Sequence, residues 1–116
     1  MPPTREPGSP PGPEPDLQPI LALDRTVHEP ARLAILTVLS AAEEVEFLFL
    51  QRVTGLSKGN LSSHTQKLEA AGYLETLKAF RGRIPVTSFR ITLEGRVALK
   101  AYHTQLRALL PEEKKR

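Results

Sequence analysis

Residues 57–67 hold the side chains in this sequence best suited to chemistry with a polyanion. The stretch carries Lys58 and Lys67 beside Ser57, Asn60, Ser62, Ser63 and Gln66, with no acidic residue among them. Leu61 and Leu68 recur seven residues apart, an interval that returns to one face of a helix and anchors it in a core. The opposite face is left with Lys58, Asn60, Ser63 and Lys67. Asparagine can bond an adenine edge bidentately, lysine can meet phosphate or guanine, and serine lets a backbone approach closely. Such a helix is equipped to lie in the groove of a DNA duplex. The plainer alternative is a surface helix whose solvated face is neutral to basic.

Charge distribution bears on that choice more than total charge does. Sixteen Lys and Arg against thirteen Asp and Glu leave a net charge of +3, too small by itself to identify a nucleic-acid binder. From Lys58 to Arg90, however, six basic residues face only Glu69 and Glu75. The acids collect elsewhere, at Glu43, Glu44 and Glu46. The sequence contains no cysteine, so disulfides, cysteine-based zinc sites and thiol catalysis are all excluded. The three glutamates lie near no candidate nucleophile or histidine, and the scattered glycines form no phosphate-binding loop, so an enzyme is not expected.

The elements that must position the polar helix can be read from local signals. Eight of the eleven prolines fall in the first nineteen residues, and residues 1–16 are expected to be a disordered, polyproline-like tail. Pro10-Pro11-Gly12-Pro13 could serve as a docking ligand, though an inert tail is the simpler reading. A folded unit is expected over 17–110, followed by a frayed basic end at 111–116. Leu17, Ile20, Leu21 and Leu23 suggest a short helix. Pro30 suits the first turn of a longer one, which Leu33, Ile35, Leu36, Val38 and Leu39 place at the centre of the core. Glu44 to Phe47 alternates like a very short strand, and Leu48 to Thr54 reads as a helix stopped by Gly55. Ser57 can cap the polar helix, which should run to about Ala71 before Gly72 turns the chain. Strands are expected over Tyr73–Phe80 and Val86–Thr92, joined by a turn from Arg81 to Pro85. Thr92 can cap a final helix, with Glu94 near its positive end.

Helix, short strand, helix, turn, helix, hairpin, helix is the order of a mainly α domain with a small β-hairpin. Gly55-Leu56-Ser57-Lys58-Gly59-Asn60-Leu61 and Leu68-Glu69-Ala70-Ala71-Gly72-Tyr73-Leu74 resemble the winged helix-turn-helix domains of MarR- and ArsR-like transcriptional regulators. So do Arg32-Leu33-Ala34-Ile35-Leu36 in the first long helix and Ile91-Thr92-Leu93-Glu94-Gly95-Arg96 after the hairpin. The resemblance covers residues 24–108 and implies a winged helix fold with a C-terminal dimerisation helix. Carried over by position, it implies recognition-helix contacts at Lys58, Asn60, Ser62, Ser63 and Lys67, and wing contacts at Arg81 and Arg83. Ile84 and Val86 stand where such wings often carry arginine, which weakens the expected wing contribution. Gly59 either admits a close backbone approach or merely weakens the helix.

The final helix presents two apolar stripes. Leu93, Val97 and Ala101 form one, expected to cover the domain's own core. Leu99, Tyr102, Leu106 and Leu109 form the other, expected to meet a second copy of the chain. His64, between Leu61 and Leu68, is expected to be a packed, hydrogen-bonded residue. Neither a metal nor another cofactor is expected, although His103 with Glu112 could form a site between subunits. The leading expectation is a homodimeric repressor of the cytoplasm and nucleoid that reads an inverted repeat in double-stranded DNA. No membrane contact is expected, a small-molecule effector is possible, and the alternative is a winged-helix protein-interaction module.

Overall fold

Side-chain and proline caps set where each long helix begins. In the computed structural model, which describes residue 8 and residues 12–111, the order is α1 (Gln18–Leu21), α2 (Pro30–Ser40), β1 (Val45–Glu46), α3 (Phe47–Thr54), α4 (Lys58–Ala70), β2 (Leu74–Arg81), β3 (Ile84–Ile91) and α5 (Leu93–Leu109). Most of the proline-rich stretch, Glu112 and the terminal basic residues lie outside the described residues. Pro30 occupies the first turn of α2, where Glu29 accepts a bond from the Arg32 amide at 2.8 Å. Ser57 Oγ accepts from the Asn60 amide at 3.1 Å, and Thr92 Oγ1 from the Gly95 amide at 2.9 Å. Gly55 ends α3 in the left-handed region at φ 71°. After α4, Gly72 adopts φ 80°, so that its amide reaches Glu69 O and the Tyr73 amide reaches Leu68 O, both at 2.9 Å. This paired closure satisfies carbonyls that the helix end would otherwise leave open.

The three strands form one antiparallel sheet in the order β1-β3-β2. Val45 faces Phe89 and Glu46 faces Ser88, whereas β2 and β3 pair along their whole length from Leu74–Ile91 to Arg81–Ile84. The hairpin turn is therefore only Gly82-Arg83, tighter than the Arg81–Pro85 loop expected from proline. Pro85 is tolerated in β3 because β1 ends before reaching it, leaving an open edge where no third strand asks for an N–H. Phe47 begins α3 instead of ending the strand. Ser88, which strand alternation sets on the face opposite Phe89, is nonetheless buried where β1 pairs beside it.

Ile35, Leu36 and Leu39 of α2 meet Leu50 of α3, Leu61 and Leu68 of α4, and Leu74, Phe89 and Ile91 of the sheet in one core. Helix α5 closes this core with Leu99 and Tyr102, which corrects the expectation for that helix. Leu99 and Tyr102 are buried within the chain, and Leu106 and Leu109 are half-buried against the same core. Leu93 and Val97 are instead 74% and 60% exposed, so the stripe expected to cover the core is the one the chain leaves uncovered. The cause is Gly95, which shares the Leu99 and Tyr102 face and lets the first turn of α5 press onto the Tyr73 carbonyl.

Tyr73 also ties the end of α4 to the segment before α2. Its hydroxyl donates to Asp24 Oδ2 at 2.5 Å, while Asp24 Oδ1 accepts from the amides of Thr26 and Val27. The hydrogen bond to Asp24, burial and the aspartate charge push the Tyr73 pKa up to about 12. The folded state thus holds this proton more tightly than the unfolded chain, whose tyrosine titrates near 10. The linked stability is complete below pH ~10 and lost as pH rises toward 12. Tyr73→Phe should cost about 1 kcal/mol at neutral pH. The gap from wild type should narrow in urea titrations taken above pH 10; a constant gap would place the loss outside this proton.

Candidate nucleic-acid interface

Helix α4 is held from beneath by Leu61, Thr65 and Leu68, all buried, with Thr65 Oγ1 returned to the Leu61 carbonyl at 2.9 Å. Fixing that side fixes the other. Lys58, Asn60, Ser63 and Lys67 are exposed, and Ser62 is half-buried on the flank toward the hairpin. Gly59 has no atom within 4 Å of where a Cβ would stand, and its φ is negative. Neither packing nor backbone conformation requires glycine there, so its one structural consequence is a flat outer surface at the start of α4. Gln66, absent from the expected contacts, is exposed and lines the cleft between α4 and the hairpin. Its amide is a second candidate for adenine recognition, and the same 100° rotation that places Ser63 outward places Gln66 beside it.

The hairpin forms the other wall of this cleft, which has a volume of about 1000 Å³. Lys58, Ser62 and Gln66 line it from α4, and Thr76, Lys78, Arg81 and Thr87 from the strands. Lys78 was missed among the candidate cations, although strand alternation puts it on the face of Thr76, toward α4. Two carboxylates also line the cleft, Glu46 and Glu69. Glu46 is engaged by Arg81 in an ion pair that ties the hairpin to the start of α3. Arg81, an expected wing contact, is thus committed within the chain, and its exposure makes the pair weak enough to exchange. Arg90 pairs with Glu75 at 3.1 Å. Arg83 stands exposed at the turn with no carboxylate partner among the described residues.

His64 occupies the opposite flank of α4, where it is half-buried. Its Nδ1 lies 3.2 Å from Arg32 Nη1 and 3.6 Å from Glu29 Oε2. Arg32 also donates from Nε to the Thr26 carbonyl at 2.6 Å. Burial opposes ionisation of Glu29, but the amides of Arg32 and Ala31 and the charges of His64 and Arg32 outweigh it and hold its carboxyl below the ordinary value. The cluster links α2 to α4 and holds the imidazole away from the outer face. His28 is likewise engaged, with Nδ1 2.7 Å from the Tyr102 hydroxyl. Among the described residues no three His, Asp or Glu side chains converge as a metal site, and no helix is long and apolar enough to cross a membrane.

A helix presented by a three-helix core beside a two-stranded hairpin is the geometry of a winged helix. The family model described as the winged helix DNA-binding domain matches residues 31–110. Over 72 residues the chain is 43% identical to an uncharacterised protein of Methanocaldococcus jannaschii, spanning 61% of this chain and 77% of that one. It superposes with a TM-score of 0.73 and 32% identity on a transcriptional regulator homologue from Pyrococcus horikoshii, covering 80% of this chain and 91% of the other. A transcriptional regulator of M. tuberculosis solved in complex with DNA shares the fold at a TM-score of 0.59 and 18% identity, over 77% of this chain and 66% of that one. Regulators of the MarR and ArsR families have this fold as well. Matched through α4, the wing and α5 alike, the chain belongs to the winged helix DNA-binding domain family.

Proposed function

We propose that the chain is a sequence-specific transcriptional regulator that binds an inverted-repeat operator in double-stranded DNA as a homodimer and represses by occluding it. The observation that carries this reading is the outer face of α4: Asn60, Ser63 and Lys67 stand exposed beside Gly59 on a helix whose other side is locked in the core. Placed in a major groove, Asn60 and Ser63 meet base edges, while Lys58, Ser62 and Lys67 meet phosphates or guanine. Arg83 reaches the backbone or minor groove alongside. Arg81 joins it only by exchanging Glu46 for a phosphate. The two-fold partner is supplied by the exposed face of α5 around Leu93 and Val97, with Leu17, Ile20 and Leu21 of the α1 region beside it.

Selection of duplexes from a random library by the purified protein tests this. Enrichment of an inverted repeat is expected, and Asn60→Ala with Ser63→Ala should relax the enriched sequence. Lys67→Ala and Arg83→Ala should weaken all duplexes and flatten the dependence of affinity on salt, each by roughly one counterion. Gly59→Ala should leave the fold intact and weaken the enriched site alone. Binding to the enriched site that ignores all five substitutions would show that α4 is not the reading element.

A second reading is a protein-interaction module. It is favoured by α3, where Leu48, Phe49 and Val53 are exposed together and Arg52 lies over the Phe49 ring at 5.3 Å. Absence of any salt-sensitive duplex retention would support it over the first.

A further inference from the structure

The tip of the wing is apolar where phosphate contacts alone would ask for charge. Phe80 is 75% exposed and Ile84 67%, and exposed Pro85 stands directly across the ladder from Phe80. No core residue claims the Phe80 ring, and β propensity alone would be met by threonine at the same position. Phe80 shares its strand face with Thr76 and Lys78, which line the cleft toward α4. Lys78 and Arg83 flank it in sequence, Arg81 beside it is held by Glu46, and the hairpin itself carries no acid from Thr76 to Ile91. An apolar ring flanked by cations matches the cross-section of a DNA groove, where phosphates form the rims and stacked bases the floor.

We propose that Phe80, braced by Pro85, is a wedge that enters the minor groove next to the α4 site and opens a base step there. This inference rests on the DNA-binding reading above and adds a deformation of the duplex to it. The shape supports such entry. Two strands joined by Gly82-Arg83 make a ribbon with a strand spacing of about 5 Å. A minor groove of roughly 6 Å admits that ribbon only if it widens, as it does around inserted apolar side chains. The cost depends on the step that is opened and is least at flexible pyrimidine–purine steps. Phe80 therefore contributes specificity without bonding to a base edge, and Ile84 and Val86 replace the cations of a purely electrostatic wing. An anionic membrane could also take an apolar tip among cations, but the continuity of the tip with the α4 cleft favours the duplex.

The test compares wild type, Phe80→Leu and Phe80→Ala on a duplex from the selection, with fluorophores at its ends and 2-aminopurine at successive wing-side positions. Phe80 is exposed, so all three proteins should melt alike. Wild type should shorten the end-to-end distance and brighten 2-aminopurine at one step. Phe80→Ala should lose both signals and about tenfold in affinity, the order of one base–aromatic stacking contact, with an unchanged salt slope. Phe80→Leu should keep part of the bend. Equal bending and equal fluorescence in wild type and Phe80→Ala would overturn the wedge while leaving the DNA reading intact. Failure of wild type to hold any duplex overturns both. Binding to vesicles of anionic phospholipid that depends on Phe80, with duplex binding unchanged, would assign the tip to a membrane and overturn the wedge.

Discussion

Gly95→Ala should lower the melting temperature by about 10–20 °C, a large response to a single methyl group. In an unconstrained helix the same change stabilises by ~1 kcal/mol, because alanine loses less backbone freedom than glycine. Here the added Cβ would stand 2.1 Å from the Tyr73 carbonyl oxygen and 2.9 Å from Ile91 Cγ1. The obstructing atom is backbone, so no rotamer change relieves the contact, and α5 has to move outward. That shift would lengthen the bond from the Thr92 amide to Tyr73 O, now 3.1 Å, and that from Thr92 Oγ1 to Gly72 O, now 2.6 Å. It would also lift Leu99 and Tyr102 from the core. Overpacking of this kind costs about 1–3 kcal/mol before hydrogen bonds are counted, which outweighs the gain in propensity. Gly59→Ala is the internal control: nothing lies within 4 Å, so its melting temperature should hold or rise. A Gly95→Ala protein melting within a few degrees of wild type would mean that α5 does not depend on this close approach.

The same glycine marks where the sequence could and could not be read. Helix starts were legible because a cap is local: Ser57, Thr92 and Pro30 each announce a boundary within three residues of it. The inward anchors of α4, Leu61 and Leu68, were legible because they recur seven apart against a polar remainder, whereas Thr65, buried between them, is polar and gave no such signal. In α5 two stripes of similar hydrophobicity compete, and periodicity cannot say which one faces the core. The distinguishing signal was Gly95 on the Leu99 and Tyr102 face, a helical glycine whose missing side chain admits the Tyr73 carbonyl. The engagement of Arg81 was hidden for a different reason. Its partner Glu46 lies thirty-five residues away in sequence, and only the β1-β3-β2 strand order brings the two together. Lys78 was within reach of strand alternation alone, since it is two residues from Thr76 on the cleft side.

Val97→Glu should convert the proposed homodimer to monomer with little change in the fold. Val97 and Leu93 are mostly exposed in the single chain, and Ala101 continues their stripe past a shallow groove bordered by Asp24 and Tyr73. A carboxylate on this face costs nothing in a monomer, but across a two-fold axis it meets its own copy and must be desolvated. Sedimentation at micromolar concentration should show the halved mass, and the thermal melt should separate this effect from unfolding. Leu99→Ala gives the contrasting result. That side chain is buried within the chain, so truncation should cost about 2–5 kcal/mol whatever the oligomeric state. The consequence for DNA is larger than for either measurement. Two joined recognition helices address half-sites about one helical turn apart, and the second engages at high effective concentration. Losing the partner should therefore weaken binding to an inverted repeat by roughly a hundredfold while affecting an isolated half-site little. A Val97→Glu protein that keeps both the dimer mass and the affinity would move the two-fold contact away from α5, leaving the exposed Leu17, Ile20 and Leu21 to carry it.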